Sequence, residues 1–598
     1  MKSVPLSLGI NNGDDIYKCS YIRKYYSIEF SLVCLFGGIL VGSLPALQML
    51  VEKRLIDTAI IGRFSENGIL FIKYLFLFIV LITASALLTI LIQHKTEQNC
   101  LNVGRILDQE RIEKANKIPF VVTETQEFRE LFERAEKVAD LDKVFCKALQ
   151  TGLSSLVQIV LSFFVLLSID IKTACVLFVL LFFGTIIYKK SAFKADSIWN
   201  EYIHNMRYAT YLSSILLNRE YSAERKVFDY NCELENRFQN EFSAAVKKNC
   251  HLGMKRLVSE SETTILSVLY IILTVLLMAP QLYHGQISLG AFIVVFSAAS
   301  RLQGLGGQFY NSIFDISSSF AQMNGFFEFL NMQESVMPEV EQHIDLTKGI
   351  VFQDVSFTYP GASSPVLENV SFTLEAGGHY ALVGENGCGK TTMVKLLLGL
   401  YRPTKGAIYI GGVNLNDVNE EERKKVFSAV FQDYYRYPLS IKENVSLGSK
   451  DVLDENKIRE VLCSLDLTIP ALSKEDGLDT DLRMLKEESV DISGGEWQKL
   501  TIARSLLSPV PVVVLDEPNA ALDPSSEETL YKVYEEMLKS KMTLFISHRL
   551  GVVKEADRIL VLHNKHLIAM DAHDRLMDGC EYYKKLYNSQ RGLYYGEK

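Results

Sequence analysis

Apolar residues are spread unevenly along this chain. Long uncharged runs fill the first half, and shorter alternating runs mark the second. A helix crosses a hydrocarbon core with ~20 mostly apolar residues. Six stretches meet or approach that length, at about 30–51, 74–92, 151–169, 173–188, 263–280 and 287–305. Pro45 should kink the first of them, and Pro280 closes the fifth. Only Asp170-Ile171-Lys172 separates the third from the fourth, which predicts a tight helical hairpin. Six such runs in one half do not suit the core of a soluble protein. Residues 1–330 are therefore predicted to form an all-α transmembrane domain of six spans. Asp14, Asp15 and Lys18 ahead of the first run, with no small-residue cleavage site after it, argue against a secretory signal.

Basic residues orient the spans. Arg23, Lys24, Lys95, Lys147, Lys189, Lys190, Lys255, Arg256 and Arg301 flank span ends that share one side. The loops on the other side, Asp170–Lys172 and Gln281–Gln286, are nearly neutral. In the loop after the first span, Lys53, Arg54 and Arg63 are balanced by Glu52, Asp57 and Glu66. The basic side should be the cytosol, and an even number of spans puts both termini there. The charged stretches Gln93–Gln150 and Lys189–Glu262 then read as membrane helices continued into the cytosol.

Composition narrows the picture only a little. The 62 Lys and Arg against 71 Asp and Glu leave a net charge of −9, so nothing in the charge balance suggests nucleic acid as the main partner. Ten cysteines in 598 residues, none at CxxC spacing, predict free thiols in a reducing compartment rather than a disulfide scaffold or a local zinc motif.

After Leu330 the pattern changes. Residues 331–348 are polar and contain Pro338, as in a linker; 349–589 read as a soluble α/β unit and 590–598 as a tail. Gly349–Tyr359 alternates like a strand, and a second strand, His379–Val383, runs into Gly384-Glu-Asn-Gly-Cys-Gly-Lys-Thr391 ahead of a helical run. That is the G-x-x-x-x-G-K-[ST] phosphate loop in its strand–loop–helix setting. Gly384, Glu385, Asn386, Gly387, Cys388, Gly389, Lys390, Thr391 and Thr392 would turn backbone N–H groups and a helix N-terminus toward phosphates. Lys390 supplies a cation for the β- and γ-phosphates, and Thr391 a hydroxyl for Mg²⁺. Val512-Val-Val-Leu-Asp516-Glu517 reads as a buried central strand ending in two acids. Asp516 would hold the metal, and Glu517 would polarise the attacking water.

Further along, Ile492-Ser-Gly-Gly-Glu496 resembles the signature segment of the ABC (ATP-binding cassette) transporters. Other pieces follow in that family's order. Tyr359 fits the adenine-stacking aromatic, Gln432 the Q-loop, Asp523 the D-loop and His548 the switch histidine. Two positions depart from the usual pattern: Glu496 where Gln is common, and Asn519 where Thr or Ser is common. Six spans followed by one P-loop NTPase cassette is similar to an exporter-type half-transporter. The resemblance implies ATP and Mg²⁺ as cofactors, with Gln432 joining Thr391 and Asp516 at the metal. It implies two cassettes head to tail, with Ser493, Gly494 and Gly495 of one facing the phosphate loop of the other. Since every catalytic position is filled, a homodimer is the simplest partner arrangement, with a heterodimer as the alternative. Thr123–Phe128 and Arg219–Lys226 resemble the segments through which cassettes drive the spans.

The function so implied is ATP-hydrolysing export of a peptide, lipid or drug-like amphiphile across a bacterial cytoplasmic membrane. An ATP-gated channel or regulator, and an importer of the same layout, are the competing readings. Gly-Gly-Glu-Trp-Gln498 looks similar to cassettes of bacterial peptide and multidrug exporters. Cys388, at a helix N-terminus, is expected to have a lowered thiol pKa and to react with alkylating reagents.

Overall fold

The computed structural model describes residues 24–26, 28–60, 64–218, 221–334, 344–449, 453–467, 469, 477–482, 489–518, 533–534, 539, 541–547 and 553–595. The chain forms two compact units, one of residues Met1–Lys117 and Thr125–Gln333, the other of Ile118–Glu124 and Glu334–Lys598.

The first unit is all helical. Its elements are α1 (Ile28–Ile60), α2 (Phe64–Lys117), then α4 (Gln126–Glu136), α5 (Val138–Leu167), α6 (Ile171–Leu217), α7 (Ser222–Val227), α8 (Asn231–Tyr283) and α9 (Leu289–Leu330); α3 (Phe120–Thr123) lies in the second unit. At 1.5 Å per residue, the 54 residues of α2 make a rod of about 80 Å, far longer than a bilayer core. Among the described residues, Leu32–Ile60, Gly68–Lys117, Gln126–Leu167 and Leu289–Leu330 are helices long and apolar enough to cross a membrane. The apolar stretches Ile171–Ile186 and Val268–Tyr283 are shorter. The chain is thus an integral membrane protein, and its outward side chains agree. Phe76 and Leu87 on α2 are 69% and 61% exposed, a placement lipid tolerates and water penalises.

Small residues bring these helices close. A Cβ on Gly42 of α1 would lie 2.5 Å from the Ser154 carbonyl of α5, so only glycine permits that approach. The helices also share a buried apolar cluster that includes Met49, Leu166, Leu177, Met278, Val294 and Leu302. The predicted hairpin turn is short, since α5 ends at Leu167 and α6 starts at Ile171. Asp170 caps α6 by accepting a hydrogen bond from the Thr173 amide at 2.9 Å.

The second unit is α/β. A four-stranded antiparallel sheet has the order β2-β1-β4-β5, from β1 (Ile350–Phe357), β2 (Leu367–Leu374), β4 (Lys405–Ile410) and β5 (Val413–Asn414). The larger sheet has the order β10-β9-β3-β8-β7-β6. It comprises β3 (His379–Val383), β6 (Phe427–Val430), β7 (Val512–Asp516), β8 (Met542–Ile546), β9 (Arg558–His563) and β10 (His566–Asp571). All its pairs are parallel except β9–β10. Every residue of β7 is buried, as an unbroken Val-Val-Val-Leu run in a two-sided parallel sheet requires. The helices of this unit include α10 (Lys390–Leu397), α11 (Glu420–Val426), α12 (Ile441–Ser446), α13 (Glu455–Ser464), α14 (Gly494–Leu506), α15 (His573–Gly579) and α16 (Glu581–Tyr595).

Candidate functional site: a phosphate loop beside a buried acid

Ligands in open parallel sheets bind beyond the carboxyl ends of the strands. Here β3 and β7 flank β8, with Leu382 paired to Ile546 and Ile546 paired to Asp516. The loop leaving β3 and the acids ending β7 therefore share one edge of the sheet.

The loop is shaped by its glycines. Gly389 has φ 108° and a Cβ there would lie 2.8 Å from Leu367 Cδ2, so both the backbone angle and the space demand glycine. It is the N-cap of α10, whose first residue is Lys390. Lys390 is only 6% exposed, and its ammonium donates to the carbonyls of Gly384 at 2.9 Å and Glu385 at 3.0 Å. Glu385, Asn386 and Gly387 are exposed, as is Thr391, while Thr392 is buried.

Asp516 is 1% exposed, and among the described residues neither of its carboxylate oxygens accepts a hydrogen bond of good geometry. Burial pushes its pKa up to about 6, helped by the Glu517 and Asp433 charges and opposed by the Thr391 hydroxyl and Lys390. A buried carboxylate beside a threonine hydroxyl is the oxygen donor set a hard divalent cation takes. Asp516 and Thr391 thus fit Mg²⁺. Glu517, the next residue, has φ 49° while its amide donates to Ile546 O at 3.0 Å. A non-glycine residue in the left-handed region stores strain of about 1–3 kcal/mol.

Tyr359 lies in an aromatic cluster. Its ring meets Phe357 edge-on at 4.9 Å and Tyr401 at 5.3 Å, and its hydroxyl is 3.0 Å from Thr392 Oγ1. Tyr401 in turn meets Phe120 of α3 at 5.8 Å, and its hydroxyl donates to Glu124, which also pairs with Lys395 at 3.3 Å. Sequence reading missed Tyr401, whose partners come from distant parts of the chain. The stretch Thr123–Phe128 is divided between the two units. The segment in the cassette unit is Ile118–Glu124, and Thr125 already caps α4 by accepting from the Phe128 amide at 3.2 Å.

Gln432 is exposed just beyond β6. Ser493 is the N-cap of α14 and forms a reciprocal capping box with Glu496: the Ser493 amide donates to Glu496 Oε2 at 2.7 Å, and the Glu496 amide to Ser493 Oγ at 3.3 Å. Either Glu or Gln completes such a box, which accounts for Glu496 in place of Gln. Gly494 and Gly495 form the first turn of α14, and the Gly494 carbonyl accepts from the Tyr434 hydroxyl at 2.9 Å. Asp523, His548 and Asn519 lie outside the described residues, as do Arg219 and Glu220 of the second drive segment. One expectation is reversed. The Cys388 thiol is pushed up by burial, which outweighs Lys390 and the loop amides.

With this geometry established, comparison with known proteins identifies the class. Residues 367–520 match the ABC transporter family. Over 560 residues the chain is 27% identical to the subtilin transport ATP-binding protein SpaT of Bacillus subtilis, covering 92% of this chain and 90% of that protein. It is 32% identical to the nisin transport ATP-binding protein NisT of Lactococcus lactis subsp. lactis over 54% of each chain. It is 31% identical to an ATP-dependent lipid A-core flippase of Mannheimia succiniciproducens over 60% of each. In fold it matches a bacterial Atm1-family ABC exporter solved with ATP bound, with TM-score 0.72 and 19% identity, over 96% of this chain and 99% of that one. Residues 367–520 thus carry an ABC transporter domain, and the chain as a whole is similar to exporters in which a helical membrane domain is fused to one ATP-binding cassette.

Proposed function

We propose that the chain works as a homodimer that hydrolyses ATP and exports an amphiphilic peptide across a bacterial cytoplasmic membrane, with both termini in the cytosol. The observation that carries the hydrolytic part is the juxtaposition on one sheet edge of the phosphate loop, the buried Asp516 and the strained Glu517. Lys390 and the loop amides hold the phosphates, and Tyr359 stacks on the base. Thr391, Asp516 and Gln432 would hold Mg²⁺, which when bound would supply positive charge against the phosphates. Glu517 accepts a proton from the attacking water, and His548 orients the γ-phosphate. Ser493, Gly494 and Gly495 of a second copy close over the nucleotide, and the family resemblance assigns Asp523 to the same closure. The segment Ile118–Glu124, tied to Tyr401 and so to Tyr359, conveys occupancy of the cassette to the spans. The peptide substrate rests on the near full-length likeness to a subtilin transport protein.

The test uses the full-length protein in proteoliposomes. Glu517→Gln should lower ATPase turnover by about 10²–10⁴-fold while leaving ATP binding intact. Near-normal turnover in that variant removes Glu517 from its role. Cationic amphiphilic peptides should stimulate the wild-type ATPase and accumulate in inside-out vesicles; stimulation by lipid alone would favour a flippase instead.

A further inference from the structure

We propose that Cys100, Asp142 and Cys146 form a binding site for a thiophilic divalent cation of the zinc class, within the helical unit and apart from the nucleotide. The Cys100 and Cys146 sulfurs and an Asp142 oxygen all lie within 4.8 Å of one another. In a tetrahedral zinc site with Zn–S bonds near 2.3 Å, ligand sulfurs stand about 3.8 Å apart, so closure needs movements of an ångström or less. Asp142 and Cys146 are four apart on α5 and share one helix face, and Cys100 comes from α2.

The three side chains are 0%, 1% and 6% exposed for Asp142, Cys146 and Cys100. Packing a carboxylate and two thiols together away from water is costly unless a cation or donors compensate. Tyr26 supplies one donor: its hydroxyl donates to Asp142 and lies 2.8 Å from Cys146 Sγ. A hydrogen bond of that kind orients a metal-bound carboxylate, and solvent would supply the fourth ligand. The site also has an entrance. A cleft of about 640 Å³ is lined by Cys100 together with Glu97, Asp108, Glu113 and Asp140, four acids against the two bases Arg105 and Lys143. Cys100 lies eight residues beyond Ile92, about two helical turns past the end of the second apolar run. The two thiols are free rather than bridged, as a thiolate site requires. When filled, such a site pins α2, α5 and the segment before α1 together.

The test takes full-length protein without a histidine tag, purified in detergent under reductant, loaded with Zn²⁺ and passed through gel filtration. Wild type should retain about one zinc per chain by mass spectrometry of the metal. Cys100→Ser and Cys146→Ser should each weaken retention about tenfold or more, Asp142→Asn less, and Cys463→Ser, on the exposed surface, not at all. Each variant must elute as the same single species as wild type; Asp142→Asn is isosteric and keeps the packing if a serine variant does not. With Co²⁺ as the probe, a thiolate-to-metal charge-transfer band should appear in wild type and vanish in Cys100→Ser/Cys146→Ser. Retention in wild type no higher than in that double variant, or a cobalt spectrum without the charge-transfer band, overturns the proposal.

Discussion

Asp516 gives the sharpest quantitative expectation. Its pKa of about 6 lies above the ordinary 3.8 because the ionised form is buried. The native protein then holds a proton more tightly than the unfolded chain. For an acid raised in this way, stability is lost as pH rises from about 4 to about 6, and the loss is complete above that window. A rise of roughly two units corresponds to about 3 kcal/mol at neutral pH, in protein free of Mg²⁺. Asp516→Asn keeps the shape and removes the charge, and its amide oxygen can still face the Thr391 hydroxyl. In EDTA at pH 8 the asparagine variant should therefore melt higher, by about 6–12 °C for the cassette transition. At pH 4 the two proteins should melt together. Differential scanning fluorimetry of the full-length protein across that range reads the effect. A wild-type protein that equals or exceeds the variant at pH 8, or a gap that does not close in acid, would refute the account. With Mg²⁺ present the sign reverses in binding terms. Proton and cation compete for the same carboxylate, so Mg²⁺-dependent ATP binding in wild type should weaken up to tenfold per pH unit below about 6.

Three further outcomes follow from local geometry. Gly389→Ala should cost about 1–3 kcal/mol and weaken ATP binding, because φ 108° and Leu367 at 2.8 Å both reject a Cβ; thermal melting and a nucleotide-binding assay read the two effects. Glu496→Ala should remove half of the capping box at α14 and cost about 1 kcal/mol, while Glu496→Gln should be nearly neutral in the same melt. Cys388 should label with maleimide more slowly than the exposed Cys463, because burial raises its thiol pKa; equal rates would contradict this.

What could be read from the sequence was what is local in it. The phosphate loop, the Val512–Asp516 strand and the Asp170 hairpin each depend on a few consecutive residues whose types dictate their backbone. The aromatic chain from Tyr359 through Tyr401 to Phe120 joins segments far apart in the chain, so no spacing rule announces it. The same holds for Cys100 with Asp142 and Cys146. Scanning for CxxC finds metal sites built in one turn and overlooks those assembled between helices. The Cys388 expectation went astray differently. It weighed the field of a helix end and left out desolvation, which is the larger effect there.

Glu517 illustrates what its backbone angle means for engineering. A position at φ 49° suits glycine or asparagine better than glutamate, so any selection for heat resistance alone would push towards those residues. Such a sturdier protein would keep its fold and surrender the carboxylate. Libraries built to toughen this transporter for crystallography or display should hold residue 517 fixed.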